Sequence, residues 1–198
     1  MVELDANVLE EIRHGGRTML IEDVVSLVER SHDDDRPGVP RGTVEAYAEA
    51  LETDPEASVD LDTFLEELDD SLTDSETWAG DGHLYRLEDD RISLFPAEWH
   101  ERFGGSTDVQ EYVEFLQGDA DGAVDDVARG GAGPGVPEQL LVDVVAVVGR
   151  ISREEARARL QDLRKSGELV EDADQHPNAG VMLRDEDGER FRDTSLDT

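Results

Sequence analysis

Apolar residues recur at intervals of three and four along much of the chain, the spacing that lines one face of a helix. Residues 18–30 carry Leu20, Ile21, Val24, Val25 and Val28 in this rhythm. Residues 41–52 carry Val44, Tyr47, Ala48 and Leu51. A further helix is expected from Asp60 to Leu72, through Phe64, Leu65 and Leu68. The rhythm then changes to alternation: Tyr85 and Leu87 flank Arg86, and Ile92 and Leu94 flank Ser93. With the acidic turn Glu88-Asp89-Asp90 between them, these segments predict a hairpin.

The same succession returns in the second half. Val109, Tyr112, Val113 and Leu116 predict a helix over 107–117. Leu140, Leu141, Val144, Val145 and Val148 predict one over 137–148, and Ala156, Leu160 and Leu163 one that begins at Ser152. Hairpin-like sequence follows, with Leu169-Val170 on one side and Val181-Met182-Leu183 on the other. Two turn-rich stretches, 31–38 and 129–136, read as linkers. Both run into the same four residues, Pro37-Gly38-Val39-Pro40 and Pro134-Gly135-Val136-Pro137, which marks an internal repeat. Asp60 and Ser152 suit N-caps, and Glu155 three residues after Ser152 completes a capping box.

Three helices followed by a hairpin is the order of a winged helix-turn-helix. The expected fold is therefore mainly α with small β-hairpins (α+β), as two tandem winged helix-turn-helix domains. The first occupies an acidic N-terminal region, 1–96, with its winged helix over about 15–96. A short connecting helix spans 97–105, the second domain 106–185, and a polar tail 186–198.

The segment from Gly149 to Glu171 resembles the recognition helix and first wing strand of winged-helix domains. It has a capped helix, leucines three apart at Leu160 and Leu163, a glycine stop at Gly167, and Leu169-Val170 opening a strand. With its Gly135-Val136-Pro137 lead-in and Gly167-Glu168-Leu169 wing start, the region 107–184 is similar to the C-terminal modules of archaeal minichromosome-maintenance helicases. It also resembles the related module of single-strand-binding replication proteins. The resemblance implies a fold more than an activity. No Gly-x-x-x-x-Gly-Lys-Ser/Thr phosphate loop is present, so the chain carries the module without a motor.

Charge changes the picture. The chain of 198 residues holds 51 acidic and 18 basic residues, a net charge of -33. Lys165 is the single lysine; every other basic residue is arginine. High charge with 37% hydrophobic residues raises the alternative of disorder, but the apolar positions are clustered and periodic. Such like charge repels itself at ordinary ionic strength. In molar salt the Debye length falls to about 3 Å and the repulsion is screened. A carboxylate-rich, lysine-poor surface resembles the proteins of extreme halophilic archaea. There are no cysteines, no stretch of the roughly 18 apolar residues needed for a membrane span, and no signal-like start. A cytoplasmic protein without membrane contact is expected.

Residues 150–165 form the one stretch with a clear positive balance: Arg150, Arg153, Arg157, Arg159, Arg164 and Lys165 against Glu154, Glu155 and Asp162. It falls on the helix that enters the major groove in this fold class. These six residues are the candidate nucleic-acid contacts. Ordinary intrahelical pairing, such as Glu154 with Arg157, is the competing reading, and high salt weakens phosphate contacts. The third helix of the first half, Asp60–Leu72, has no basic residue and suits a protein neighbour instead. Two functions follow: a DNA-associated transcriptional regulator or replication accessory factor, or an acidic protein-interaction adaptor of the same fold. Catalysis is not expected. His32-Asp33-Asp34-Asp35 reads as solvated linker rather than a metal site. His14, His83, His100 and His176 are isolated, and Gly130–Gly135 lacks the strand and lysine of a phosphate cradle. No cofactor is expected. Trp78 and Trp99 are read as filling the seam between wing and connector.

Overall fold

The computed structural model describes residues 4–15, 19–32, 36–54, 57, 59–80, 82–117, 135–171 and 180–183. Among these, eight α-helices and two small sheets give a mixed, mostly helical α+β architecture. No helix is long and apolar enough to cross a membrane among the described residues.

The first half contains α1 (Ala6–Gly15), α2 (Ile21–Ser31), β1 (Val39–Pro40), α3 (Arg41–Glu52) and α4 (Leu61–Ser71). It continues through β2 (Leu72–Thr73), β3 (Leu84–Leu87) and β4 (Arg91–Ser93). The second half contains α5 (Ala97–Phe103), α6 (Val109–Gln117), β5 (Val136–Pro137), α7 (Glu138–Val148) and α8 (Arg153–Ser166). It ends with β6 (Leu169–Glu171) and β7 (Gly180–Leu183).

The repeated motif has a structural counterpart. Val39 pairs antiparallel with Ile92, and Val136 pairs antiparallel with Val181. In each half the short strand therefore joins the later strand of the hairpin, giving β1-β4-β3 and β5-β7-β6. Each next helix starts at a proline, Pro40 (φ -56°, ψ 131°) or Pro137 (φ -54°, ψ 127°). Proline lacks the N–H that would be orphaned there. Gly38 (φ +69°) is fixed by space as well as by backbone angle, since a Cβ would lie 2.6 Å from the Ile92 carbonyl oxygen.

This corrects the linker reading of 31–38 and 129–136 at their ends only, where Gly38 is buried and Val136 lies in a strand. Gly38 and Val39 are buried, and the buried Arg91 guanidinium donates to the carbonyls of Pro37 (2.7 Å) and Gly38 (2.5 Å). Residues 129–134 and the tail 186–198 lie outside the described residues. Two elements were absent from the sequence reading. Helix α1 anchors on Val8 and Ile12. Strand β2 runs parallel to β3, with Leu72 opposite Leu84, where the third helix was expected to continue.

The expected caps form. Asp60 accepts from the Thr63 N–H at 2.9 Å, and Ser152 from the Glu155 N–H at 3.0 Å. The reciprocal half of the Ser152 capping box gives way to an ion pair, because Glu155 turns to Arg159. Gly167 (φ +79°) ends α8, with its N–H donating to Arg164 O and the next N–H to Leu163 O, a double bond pattern that left-handed glycine permits.

Each half has its own buried apolar cluster, and the two meet where a helix of one packs on a helix of the other. Helix α7 is apolar nearly all round, with Leu141, Val142 and every residue from Val144 to Val148 buried. A helix of that kind needs cover on every side. It packs on α6 and α8 within its own half and on α2 of the first half. Helix α2 is buried continuously from Val24 to Glu29 for the same reason. Beside this contact runs an aromatic stack: Trp78 on Tyr85, Phe95 and Trp99, with ring centroids 6.0, 5.7 and 5.2 Å apart. Trp78 and Trp99 thus fill the seam between hairpin and connector.

Within the seam lies a buried polar trio. Ser93 Oγ donates to Glu29 Oε1 (2.7 Å) and lies 2.8 Å from His100 Nε2. With the hydroxyl hydrogen on Glu29, the remaining lone pairs take the Phe95 N–H (3.1 Å) and an Nε2–H of His100. The Leu94 N–H completes the carboxylate at 3.1 Å.

Candidate nucleic-acid interface

Helix α8 is set by the turn before it. At Gly149 a Cβ would lie 2.3 Å from the Val145 carbonyl oxygen and 2.6 Å from that of Ser106, so only glycine fits. Arg150 takes a left-handed conformation (φ 57°), and Ile151 N–H returns to Ala146 O at 3.1 Å. Ala156 and Leu160 then anchor the inner face of α8 in the core.

The six basic residues of 150–165 separate into groups. Arg164 reaches back to α7, its Nη2 2.7 Å from Glu138 Oε2. Arg159 pairs with Glu155 at 2.8 Å and Lys165 with Asp162 at 3.0 Å, both along the helix. The intrahelical pairs formed are thus not the expected Glu154–Arg157. Arg157 is exposed and, among the described residues, makes no hydrogen bond or ion pair. Arg153 Nη2 stands 2.8 Å from Asp143 Oδ1. The alignment is poor, however: Arg153 Nε and Nη2 are buried and make no hydrogen bond in the structure. Close approach without alignment is electrostatic contact but a weak hydrogen bond.

A residue from the first half joins this group. Arg30 lies in the last turn of α2. Its Nε donates to the Ser26 carbonyl at 3.1 Å, and it has no carboxylate partner within ion-pair distance among the described residues. Burial is the largest cause holding the Arg30 pKa below its ordinary value, followed by the Arg153 charge, with Arg157 adding to it. Asp143 and Glu11 pull the other way. Asp143 is itself pushed up by burial, against the opposing pull of Arg153, Arg30 and Arg157. Asp143 thus feels the charge of all three arginines, with Arg153 at ion-pair distance. Arg30 also lines a small cleft whose walls include Arg36, His100 and Arg150.

Sequence reading had no means to find Arg30. In the chain it is an ordinary cation at a helix C-terminus, and only the packing of α2 on α7 brings it to α8. The acidic helix α4 presents the opposite character, with Asp62, Glu66, Glu67, Asp69 and Asp70 and no cation of its own. Arg41 of α3 answers it through Asp69 at 2.6 Å.

Among the described residues no group of three or more His, Cys, Asp or Glu side chains is arranged to hold a metal ion. His14 binds its own helix at the Glu10 carbonyl (2.7 Å), and His100 is committed to Ser93. Asp33, Asp34, Asp35 and His176 lie outside the described residues. Comparison with known proteins returned no matching family, no matching curated protein and no matching solved structure.

Proposed function

We propose that the chain is a non-catalytic, DNA-associated regulator or replication accessory factor of a salt-rich archaeal cytoplasm. In this reading it consists of two tandem winged helix-turn-helix units, 1–96 and 106–185, joined by the connector 97–105. The shared strand order and matched proline starts of α3 and α7 support the tandem arrangement. One observation carries the functional reading: the N-terminal turns of α8 hold guanidinium charge that the chain's own carboxylates leave incompletely matched. In helix-turn-helix proteins this end of the helix meets the bases and nearby phosphates. Arg164, Arg159 and Lys165 are spent on Glu138, Glu155 and Asp162 and contribute less.

The test is duplex-DNA binding by the whole chain in molar potassium chloride, read by fluorescence anisotropy. Arg150→Gln with Arg157→Gln weakens binding about tenfold or more, since each charge-assisted contact contributes roughly 1.5–3 kcal/mol. Arg164→Gln with Lys165→Gln changes it little. Absence of binding by the parent chain, or equal losses from both pairs, overturns the reading.

The acidic face of α4 favours a second reading, a protein-interaction adaptor of the same architecture. A partner retained on the chain after nuclease treatment, through a contact abolished by Glu66→Gln with Glu67→Gln, supports the adaptor.

A further inference from the structure

We infer that Glu29, Ser93 and His100 form a proton relay that opens through His100 Nδ1 onto the cleft between the two halves. The inference goes beyond the nucleic-acid reading and does not depend on it.

Ser93 Oγ lies 2.7 Å from Glu29 Oε1 and 2.8 Å from His100 Nε2. Nε2 and Oε1 are themselves 3.7 Å apart, too far for a direct hydrogen bond. The hydroxyl therefore bridges carboxyl and imidazole. A serine hydroxyl has one hydrogen and two lone pairs, and the Phe95 N–H takes one lone pair at 3.1 Å. One hydrogen and one lone pair remain for two neighbours, so the bridge has two directions. In the first, Ser93 donates to an ionised Glu29 and accepts from His100, whose ring hydrogen is on Nε2. In the second, a protonated Glu29 donates to Ser93, Ser93 donates to Nε2, and the ring hydrogen is on Nδ1. Both directions satisfy the hydroxyl at the same heavy-atom distances. In the second, the acid hydrogen belongs on Oε1, because Oε2 accepts the Leu94 N–H at 3.1 Å.

The outer end of the relay is His100 Nδ1. It makes no hydrogen bond among the described residues, and it is not sealed from solvent. Glu29 and His100 both line a cleft of about 40 Å³, with Arg30, His32 and Arg36 on one side and Val147 and Arg150 on the other. That volume admits water, which needs roughly 10–15 Å³ per molecule. When a proton from water joins Nδ1, the Nε2 hydrogen passes to Ser93 Oγ and the Ser93 hydrogen passes to Glu29 Oε1. The carboxylate ends neutral. The imidazole is neutral before and after, and its tautomer alone has changed. The cleft therefore meets an acceptor at Nδ1 when Glu29 is ionised and a donor when it is protonated.

The surrounding charges suit this relay. Arg91 of β4 acts on Glu29, Arg150 acts on His100, and Arg36 on the cleft wall is paired with Asp89. Burial outweighs Arg91 and pushes Glu29 up to about 7, while burial and Arg150 hold His100 down at about 4. Glu29 thus changes charge near neutrality, where the ring stays neutral and is able to switch tautomer.

Nitrogen-15 spectra of the full chain, labelled at histidine and held in molar potassium chloride, read the tautomer. The chain has five histidines, and the signals lost in His100→Gln assign position 100. As pH rises through about 7, the His100 hydrogen moves from Nδ1 to Nε2 and the two ring-nitrogen signals exchange character. Glu29→Gln and Ser93→Ala each abolish this exchange. Glu29→Gln keeps the side-chain shape and decides alone should Ser93→Ala not fold. One unchanging tautomer in the parent overturns the relay, as does a His100 ring that becomes doubly protonated in this range. An exchange that persists at the same pH in Glu29→Gln also overturns it. Loss in Glu29→Gln with retention in a folded Ser93→Ala overturns the bridge through Ser93.

Discussion

Replacing Glu29 with glutamine keeps the shape of the side chain and removes its titration. Glu29 lies in the seam with its side chain 5% exposed, beside His100 at 2%. Burial, the dominant cause, raises the Glu29 pKa to about 7, against the bonds from Ser93 and Leu94 and the charge of Arg91. An unfolded glutamate titrates near 4.5. Between those values the folded state holds a proton that the unfolded state has lost. Its stabilising effect is complete below the unfolded pKa and disappears as pH rises through about 7. His100 runs the other way. Burial first, and the Arg150 charge second, lower its pKa from 6.5 to about 4. Stability from this group is present above the unfolded pKa and is lost as pH falls towards about 4. In the shared window the two slopes oppose each other, so in the parent they largely cancel.

Glu29→Gln leaves the histidine slope uncovered. One group with a fully developed shift contributes about 1.4 kcal/mol per pH unit. Between roughly pH 6.5 and pH 5 the variant should therefore lose about 2 kcal/mol relative to the parent. Urea unfolding at constant molar salt measures this, followed by the fluorescence of Trp78 and Trp99. The other carboxylates titrate in both proteins and drop out of the difference. His100→Gln must give a difference of the opposite sign, with the variant gaining on the parent as pH falls. Parallel stability curves for Glu29→Gln and the parent across this window would refute the assignment of a buried, proton-holding carboxyl at position 29.

Trp99 is 1% exposed at the centre of the aromatic stack, so Trp99→Ala should cost about 3–5 kcal/mol, read as a lowered urea midpoint. Gly38→Ala meets both a left-handed backbone and the Ile92 carbonyl; a loss of about 1–3 kcal/mol is expected by the same assay. The net charge of -33 implies that thermal stability rises steeply as potassium chloride goes from tenth-molar to molar. A melting temperature indifferent to salt would remove the physical basis of the halophilic reading.

Local pattern was readable wherever one chain segment settled its own conformation. The capping side chains of Asp60 and Ser152, the stop at Gly167 and the face of Val44, Tyr47, Ala48 and Leu51 all depend on residues within a turn or two. Helix α1 escaped because its apolar pattern is short, with Val8 and Ile12 its only buried residues; its place depends on distant partners, among them the Tyr47 hydroxyl that accepts the Asp5 N–H at 2.8 Å. The linker reading gave way at Gly38 for a related reason. Pro37-Gly38-Val39-Pro40 has a loop's composition, but its second half pairs with β4, more than fifty residues on, and the Arg91 side chain binds the Pro37 and Gly38 carbonyls. The pairing of α2 with α7 left a visible trace: both helices are apolar around more of their circumference than a single covered face requires.

The basic stretch exposes the limit of counting charge in a window. Within 150–165 the balance is positive, yet Glu138 and Asp143, both on the preceding helix, reach two of those arginines. Counting along α8 alone therefore overstates the charge available at its C-terminal end, where Arg164 is held inward. It also leaves out Arg30 of the other half, whose charge acts on Asp143 together with that of Arg153. The cations towards the C-terminal end of α8 are thus the ones with well-placed carboxylates, Arg159 with Glu155, Arg164 with Glu138 and Lys165 with Asp162.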